Sequence, residues 1–275
     1  MPKRPSGRAK ESADSTGSVQ SVARALRILE ILSEDEEGYR LADLAERSGL
    51  SPSTVHRLLT TMAERRFVQF DSTDGMWHIG RQSFTVGATF IRRRNYIAQT
   101  LPFLRMLRDQ TRETVNLAVP DGGQIVILTQ IESREVVRAI TRPGGRASMT
   151  SSGLGKAILA HYSDDDVSKI VHTFGMPRVT PKSIIRASEL RAELKRVRAQ
   201  GYALDDEEAT VGLRCVASAI YNEHGEPLAA ISASGPTARI SNERLESLGP
   251  IVAETAAMIT DAIGGKTPRS EHSSG

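Results

Sequence analysis

Two short amphipathic segments with only a few residues between them constrain the fold of this chain more than any other feature. The segment Leu41–Ser48, LADLAERS, has apolar residues at helical spacing and is followed by Gly49, which favours a helix end. Ser51 and Pro52 then suit the cap and first turn of another helix, SPSTVHRLLTTMAERR. So short a connection between two helices predicts a helix-turn-helix corner.

A helix before this corner and a hairpin after it extend the pattern. Apolar residues recur at helical spacing from position 19 to 32, and Ser18 or Ser21 suits the cap of that helix. After the corner, FVQFD and MWHIG predict two short strands around the turn STDG. Three helices followed by a hairpin predict a winged helix-turn-helix. The predicted apolar face of the first helix consists of Val22, Leu26, Leu29 and Leu32.

The third helix has an apolar stripe and an opposite face of short polar and cationic residues. Such a face is an ordinary solvated surface in an isolated helix, but in a winged helix-turn-helix it can enter a DNA major groove. Arg57 can pair with guanine or phosphate, and hydroxyls can bind base edges or phosphate. The predicted DNA contacts are Gln20, Ser51, Ser53, Thr54, His56, Arg57, Thr60, Thr61 and, at the wing tip, Ser72 and Thr73.

Length and charge divide the chain into regions. Its 275 residues suffice for two domains. Residues 1–94 carry 15 Lys and Arg against 12 Asp and Glu, whereas the remainder carries 21 of each, so the excess positive charge lies in the first third. We predict a disordered basic tail at 1–17, the DNA-binding domain at 18–80, a linker or dimerisation helix at 81–95, a ligand-binding domain at 96–264 and a disordered tail at 265–275. The 81–95 helix could equally pack on its own domain.

No apolar run is long enough to cross a membrane, and a secretory signal is missing, which together with a single cysteine predicts a cytoplasmic protein. Enzyme motifs fail in the C-terminal two thirds. GLGK at 153–156 is followed by alanine where a phosphate-binding loop needs Ser or Thr. His and Cys residues lack zinc spacing. We therefore predict no catalytic residues, no metal site and no cofactor.

A small-residue loop at 143–152 leads into a predicted helix at 153–161, whose free N–H groups suit a carboxylate. In the last predicted hairpin, Ser232 and Ser234 share one strand face, and Cys215 shares a face with Ala217. These small residues could line a cavity. They could also reflect an ordinary capped helix and tight sheet packing under a helix at 242–263.

The segments SVQSVARALRILEIL, LADLAERSGLSPSTVHRLLTTM, TSSGLGKAILA and GYALDDEEATVGLRCVASAIYNEHGEPLAAISASGP resemble the IclR family of bacterial transcriptional regulators, within it the acetate-operon (glyoxylate-bypass) repressor type. The resemblance implies an α+β fold, with a winged helix-turn-helix joined by a linker helix to a GAF-like effector domain. It also implies a homodimer or tetramer on palindromic double-stranded operator DNA, controlled by a small carboxylate such as glyoxylate or pyruvate.

The resemblance also assigns effector positions, with departures that make the effector's identity an open question. Asp205, first in the acidic run DDEE, is expected to face the effector, and the other three carboxylates to face solvent or basic neighbours such as Arg214. Ala139 replaces a larger apolar residue and Leu154 replaces alanine. The expected effector residues are Gly153, Leu154, Asp205, Cys215, Ser232 and Ser234, with Val136 and Ala139 as pocket walls in a predicted strand VVRAI.

Three other functions remain compatible with the sequence. The chain could be an activator of an aromatic-acid or sugar-acid operon, which only the operator position would distinguish. It could be an enzyme with Cys215 as nucleophile, although no histidine lies near it in sequence. A chromosome-binding protein without sequence preference is disfavoured by a net charge of only +3.

Overall fold

The computed structural model describes residues 19–93, 96–139 and 141–268. The chain divides into two compact units between Arg93 and Arg94. The predicted tail at 1–17 and most of the one at 265–275 lie outside the described residues. Gly265 and Lys266 are described, and their N–H groups donate to Thr260 and Asn222 carbonyls, so ordered contacts extend past the predicted boundary.

The first unit has three helices, a hairpin and a fourth helix, in the predicted order. Gly49 closes the second helix with φ 67°, a left-handed conformation that suits glycine. The Ser51 hydroxyl accepts the Thr54 N–H, and Pro52 occupies the first turn of the third helix, so the predicted corner is confirmed. The elements are α1 (Gln20–Leu32), α2 (Leu41–Ser48), α3 (Pro52–Glu64), β1 (Val68–Asp71), β2 (Met76–Ile79) and α4 (Arg81–Arg93).

The predicted apolar face of α1 is right at its end, where Leu32 is buried and Leu29 packs against the core, and wrong at its start. Val22 and Leu26 are 54% and 53% exposed, whereas Ile28 and Ile31 are fully buried. Helix α1 carries two overlapping apolar stripes, and packing against α2 and α3 selects the one that contains the isoleucines. The cap prediction is also wrong, because Val19 occupies the cap position without a side-chain hydrogen bond.

The second unit is a six-stranded antiparallel sheet with helices on both faces, which confirms the mixed helix and sheet prediction. The strand order is β5-β4-β3-β8-β7-β6. The elements are α5 (Tyr96–Thr111), β3 (Thr114–Asp121), β4 (Gln124–Ile131), β5 (Arg146–Ser148), α6 (Gly153–Leu159), α7 (Asp164–Phe174), α8 (Ala187–Gln200), β6 (Ala203–Asp206), β7 (Leu213–Tyr221), β8 (Pro227–Pro236) and α9 (Asn242–Ala262).

Alternation along the strands sorts large and small side chains onto opposite faces of this sheet. One face carries Val216, Ile220 and Ile231, which pack against α5 and α9. The other carries Ala217 and Ala230, which pack against α6 and α8. Helix α9 therefore covers the face opposite the small residues, and the space that they leave lies under α6.

Two segments before α6 differ from prediction. Residues 136–139 of the predicted strand VVRAI form bends and irregular backbone, while residue 140 lies outside the described residues. The predicted loop at 143–152 contains the short strand β5, which pairs with β4. Glycine and proline at 143–145 hid this strand, because they are typical of turns. Among the described residues, no helix has the length and apolar character needed to span a membrane.

Candidate functional site

Helix α3 presents a polar surface on the first unit. Ser53, His56 and Arg57 are exposed, as expected for the predicted DNA contacts, whereas Val55 and Leu59 are buried. Within the described part of the chain, Arg57 forms no ion pair, so its guanidinium group is available to a ligand. Thr60 and Thr61 are exposed too, and their hydroxyls donate to carbonyls one turn back, which leaves lone pairs that can accept hydrogen bonds.

The remaining predicted DNA contacts are Gln20, Ser51, Thr54, Ser72 and Thr73. Thr54 is half-buried, and its hydroxyl lies 2.9 Å from the exposed Ser51 hydroxyl. Gln20 is exposed at the start of α1. Ser72 and Thr73 are exposed at the hairpin tip, where a hydrogen bond from the Thr73 N–H lowers the pKa of Asp71. The tip is therefore acidic and suited only to weak phosphate contacts.

A cavity of about 560 Å³ lies in the second unit, beside the start of α6. Gly153 and Leu154 of α6 and Ala139 of the irregular segment at 136–139 line it. Ser232 is fully buried behind the cavity wall, and Val136 is 94% exposed and does not line the cavity. The structure thus brings together six of the eight expected effector residues: Ala139, Gly153, Leu154, Asp205, Cys215 and Ser234.

Helix α6 approaches the sheet closely at Gly153. A Cβ on this glycine would lie 3.2 Å from Cys215 Sγ and 3.4 Å from Asp205 Cβ. The Gly153 N–H bonds to Asp205, and the Ser152 hydroxyl accepts the Gly155 N–H at 3.1 Å. The helix ends at Leu159, earlier than predicted, and two of its first N–H groups already have protein partners. A bound carboxylate would therefore rely less on the helix start than the sequence indicates.

Asp205 is only 5% exposed, and its carboxyl group is held by the backbone that follows it. One oxygen accepts the Glu208 N–H at 2.7 Å and the Ala209 N–H at 3.3 Å. Burial raises the pKa of Asp205, while the charge of Lys156 and these N–H groups oppose the rise. Asp206 instead pairs with Arg214 at 2.6 Å and with Lys182, as expected for a carboxylate that faces basic neighbours.

Cys215 is a half-buried wall of the cavity. Burial and the nearby Asp205 charge raise the pKa of its thiol to about 12. A thiol that stays protonated at neutral pH is a poor nucleophile, because the thiolate is the reactive form. In the part of the chain that the structure describes, no group of three or more His, Cys, Asp or Glu is arranged to hold a metal ion.

Sequence reasoning missed Asn116, a buried residue of β3 that lines the cavity. Its amide donates to Ser232 Oγ at 3.3 Å and accepts from the Gln130 amide at 3.1 Å. Ser232 in turn lies 3.4 Å from Ser234. Ser232 therefore acts behind the wall, where it links Asn116 to the hydroxyl that faces the cavity. Alternation in β3 places Asn116 on a polar face, but not opposite a particular serine.

Sequence reasoning also missed Lys156, a fully buried lysine of α6. Its ammonium group donates to Glu193 at 3.1 Å and to Glu208 and the Leu204 carbonyl at 2.5 Å each. The other Glu208 oxygen is buried and, within the described residues, has no hydrogen-bond partner. Burial raises the pKa of Glu208 from 4.5 to about 7, despite the charge of Lys156.

Glu208 should make the stability of the second unit depend on pH. Because its folded pKa is raised, the folded chain retains a proton there that the unfolded chain loses, and stability falls as pH rises from 4.5 to about 7. From about pH 5 to pH 7.5, wild type should therefore lose about 2 kcal/mol of unfolding free energy that the Glu208→Gln variant retains. Urea unfolding at both pH values measures this difference. The exposed Glu223→Gln change serves as control, and parallel pH profiles for wild type and Glu208→Gln would contradict the assignment.

A helix-turn-helix with an exposed polar helix, followed by a separate unit of mixed helix and sheet, is typical of the class of DNA-binding transcriptional regulators. Comparison with known proteins identifies the family. The model described as IclR helix-turn-helix domain matches residues 21–72, and the one described as bacterial transcriptional regulator IclR C-terminal matches residues 88–261. The chain belongs to the IclR family and is a DNA-binding transcriptional regulator.

Relatives and solved structures agree with this assignment. The acetate operon repressor of Salmonella typhimurium is 41% identical over 256 residues, which cover 92% of this chain and 93% of that protein. The regulator BhcR of Paracoccus denitrificans is 39% identical over 92% of this chain and 91% of its own. An IclR homologue of Microbacterium hydrocarbonoxydans, complexed with 4-hydroxybenzoate, is 25% identical with a TM-score of 0.77, covering 89% of this chain and 99% of that one.

Proposed function

We propose that this regulator is a repressor that binds a palindromic operator as a homodimer or tetramer and responds to a small 2-oxo acid of the glyoxylate or pyruvate type. The repressor assignment is supported by the relatives at 41% identity, which are named repressors. Reading a palindrome requires two recognition helices, and therefore at least two copies of the chain. As a regulator of chromosomal DNA, it is expected to work in the cytoplasm.

Exposed apolar residues in the first unit support the oligomer. Val22 and Leu26 on α1 are more than half exposed, and Phe84 on α4 is 77% exposed. Val22 and Leu26 lie one turn apart and so share one face of α1, and an exposed apolar face favours contact with another protein surface. A second copy of the chain is the partner that a palindromic site calls for.

The observation that carries the effector proposal is the cavity that brings Gly153, Asp205, Cys215 and Ser234 together from separate elements. Gly153 lets α6 lie close to the sheet beside the cavity, because a Cβ there would already stand 3.2 Å from Cys215 Sγ. The Ser234 hydroxyl can donate to a carboxylate or carbonyl oxygen, and Asp205 can accept from a hydroxyl or a hydrated carbonyl. Arg146 at the rim, which is paired with Asp121, adds a cationic group near an incoming acid.

The cavity volume favours testing a larger acid as a second candidate. About 560 Å³ lies within the range of pockets that hold drug-sized ligands. The small side chain of Ala139 leaves room at one wall. An aromatic acid such as 4-hydroxybenzoate, and control of an aromatic-acid operon, is therefore the alternative.

The decisive experiment is fluorescence anisotropy of labelled intergenic DNA beside the gene, titrated with protein at fixed salt. Titrations without acid and with millimolar glyoxylate, pyruvate or 4-hydroxybenzoate are compared, and DNA of random sequence is the control. We expect specific binding that a 2-oxo acid weakens. Equal affinity for both DNAs would contradict operator recognition. A response to 4-hydroxybenzoate alone would replace the 2-oxo acid by the aromatic one.

A further inference from the structure

The side chain of Lys156 carries a positive charge and has no solvent-exposed surface. Lysine is almost never fully buried unless it is paired, because an isolated buried charge is very costly. Here the three hydrogen bonds of the ammonium group go to Leu204 on β6, to Glu208 in the turn after β6, and to Glu193 on α8. One side chain thus ties helix α6 to the sheet edge, to the following turn and to a second helix.

Lys156 and Gly153 of α6 both contact the segment that carries Asp205. They lie three positions apart on α6 and so point to the same side of the helix. Gly153 faces the Asp205 side chain, and Lys156 binds the carbonyl of Leu204, the residue before Asp205. The position of this carboxyl group relative to the helix start therefore depends on both residues.

The turn that follows Asp205 needs such support. Glu207 has φ 66°, a left-handed conformation that is costly for residues other than glycine. The Thr180 hydroxyl donates to the Glu207 carbonyl at 2.7 Å, and the Ser183 hydroxyl donates to the Glu208 carbonyl at 2.8 Å. Lys156 adds the bond to the Glu208 carboxylate from the interior. Because the N–H of Glu208 donates to the Asp205 carboxyl group, any movement of this turn shifts the position of that carboxyl group.

We infer that Lys156 is a positioning residue for the ligand cavity, which fixes the Asp205 carboxyl group and the turn after it against the start of α6. This inference rests on the proposed function insofar as the cavity binds an acid. It assigns the lysine of GLGK a role at a distance from the ligand, through Leu204 and Glu208.

The charges around Lys156 give the same residue an electrostatic role. Asp205, Glu193 and Glu208 are carboxyl groups that lie close to it, and Arg196, which is 75% exposed, pairs with the outer oxygen of Glu193. An acid that binds beside Asp205 would meet net negative charge without the ammonium group. The buried lysine offsets this repulsion where solvent screening is weak.

The same turn offers a matched control on its solvent side. Lys182 bonds to Asp206 at 2.9 Å and to Glu207 at 2.7 Å, and its side chain is 47% exposed. It is thus a lysine bound to two carboxylates of the same acidic run, but in water and away from the cavity. Its replacement should change little, because exposed ion pairs contribute little.

Cys215 provides a readout that needs no effector. It is the only cysteine in the chain, it lines the cavity, and its thiol is sensitive to Asp205 and Lys156. The rate of its alkylation by iodoacetamide is measured between about pH 7 and pH 9 on the folded full-length protein. Lys156→Met should raise this rate about fivefold or more, because a released turn lets water and reagent reach the thiol. Lys182→Met should leave it unchanged.

The sign of the change separates positioning from other roles. If Lys156 acted only through its charge, its loss would raise the thiol pKa further and slow alkylation. If it served only stability, Lys156→Met would raise the rate no more than Glu193→Gln at an equal loss of stability, because both variants would expose the thiol only by unfolding. Either result would overturn the inference. Glu193→Gln, which touches Lys156 away from the turn, is the control for lost stability.

A second variant and a ligand titration complete the test. Should Lys156→Met not fold, Ser183→Ala removes the hydroxyl that donates to the Glu208 carbonyl at 2.8 Å and loosens the same turn, and a rate about twofold higher would support the inference. An unchanged rate there would contradict it. Calorimetric titration with glyoxylate and pyruvate is run in parallel. If wild type binds neither acid, the proposed effector class fails, whereas the alkylation rates still decide the role of Lys156.

Discussion

A Gly153→Val protein should bind its operator like wild type and respond to an acid effector about 100-fold more weakly, a loss of about 2.7 kcal/mol in binding free energy. Its Cβ would already stand 3.2 Å from Cys215 Sγ and 3.4 Å from Asp205 Cβ, and valine adds two methyl groups at this point. These atoms must occupy the cavity or displace its wall. Operator binding involves the other unit, so the change should separate the two activities.

Anisotropy with operator DNA and calorimetry with the acid measure the two effects. Gly153→Ala gives the graded comparison, since its single methyl group requires neighbours to move by only a few tenths of an ångström and should cost less. Gly87→Ala on α4 is a neutral glycine replacement, because a Cβ there meets nothing within 4 Å. An effector response equal to wild type in Gly153→Val would place the ligand elsewhere.

Replacing Arg57 with alanine should weaken operator binding about 10- to 100-fold at moderate salt, equivalent to about 1–3 kcal/mol. The residue is exposed on α3 among short side chains that allow the helix to approach a groove closely. If Arg57 reads a base, the loss should affect the operator and spare random DNA. If it binds phosphate, affinity for both DNAs should fall together. The slope of log affinity against log salt concentration should then decrease in magnitude by about one.

Arg65→Ala is the matched control, because Arg65 is an exposed arginine at the end of the same helix. Eight residues at a rise of about 1.5 Å place it roughly 12 Å further along the axis. Its replacement should reduce affinity less than that of Arg57. Equal losses for the two variants would indicate general charge attraction in place of a specific contact.

Local signals explain why the corner of the first unit could be predicted. Gly49, Ser51 and Pro52 each act on the backbone next to them, so their meaning can be read without the rest of the chain. The buried face of α1 has no such local determinant. Val22 and Ile28 are both apolar at helical spacing, and only packing against α2 and α3 decides which of them is buried.

In the second unit, strand alternation correctly placed Ser232 with Ser234 and Cys215 with Ala217, since each strand's faces follow from its own sequence. Contacts between distant segments could not be predicted this way. Asn116 and Ser232 are 116 positions apart, and Lys156 lies 52 positions from Glu208. In the sequence, the lysine of GLGKA is typical of a solvated helix residue. Only the folded structure shows that the sheet edge and α8 enclose it.

The strand order also governs how this chain can fold during synthesis. Strand β8 lies between β3 and β7, and Thr114 pairs with Ser234, so the sheet stays incomplete until the segment near residue 236 leaves the ribosome. The winged helix lies within the first unit, which ends at Arg93, and it can fold long before that because domains fold as they emerge. Meanwhile the apolar strand β3 has an unpaired edge, which is prone to aggregation. The second unit therefore exposes an unpaired strand edge for longer during synthesis than the DNA-binding unit does.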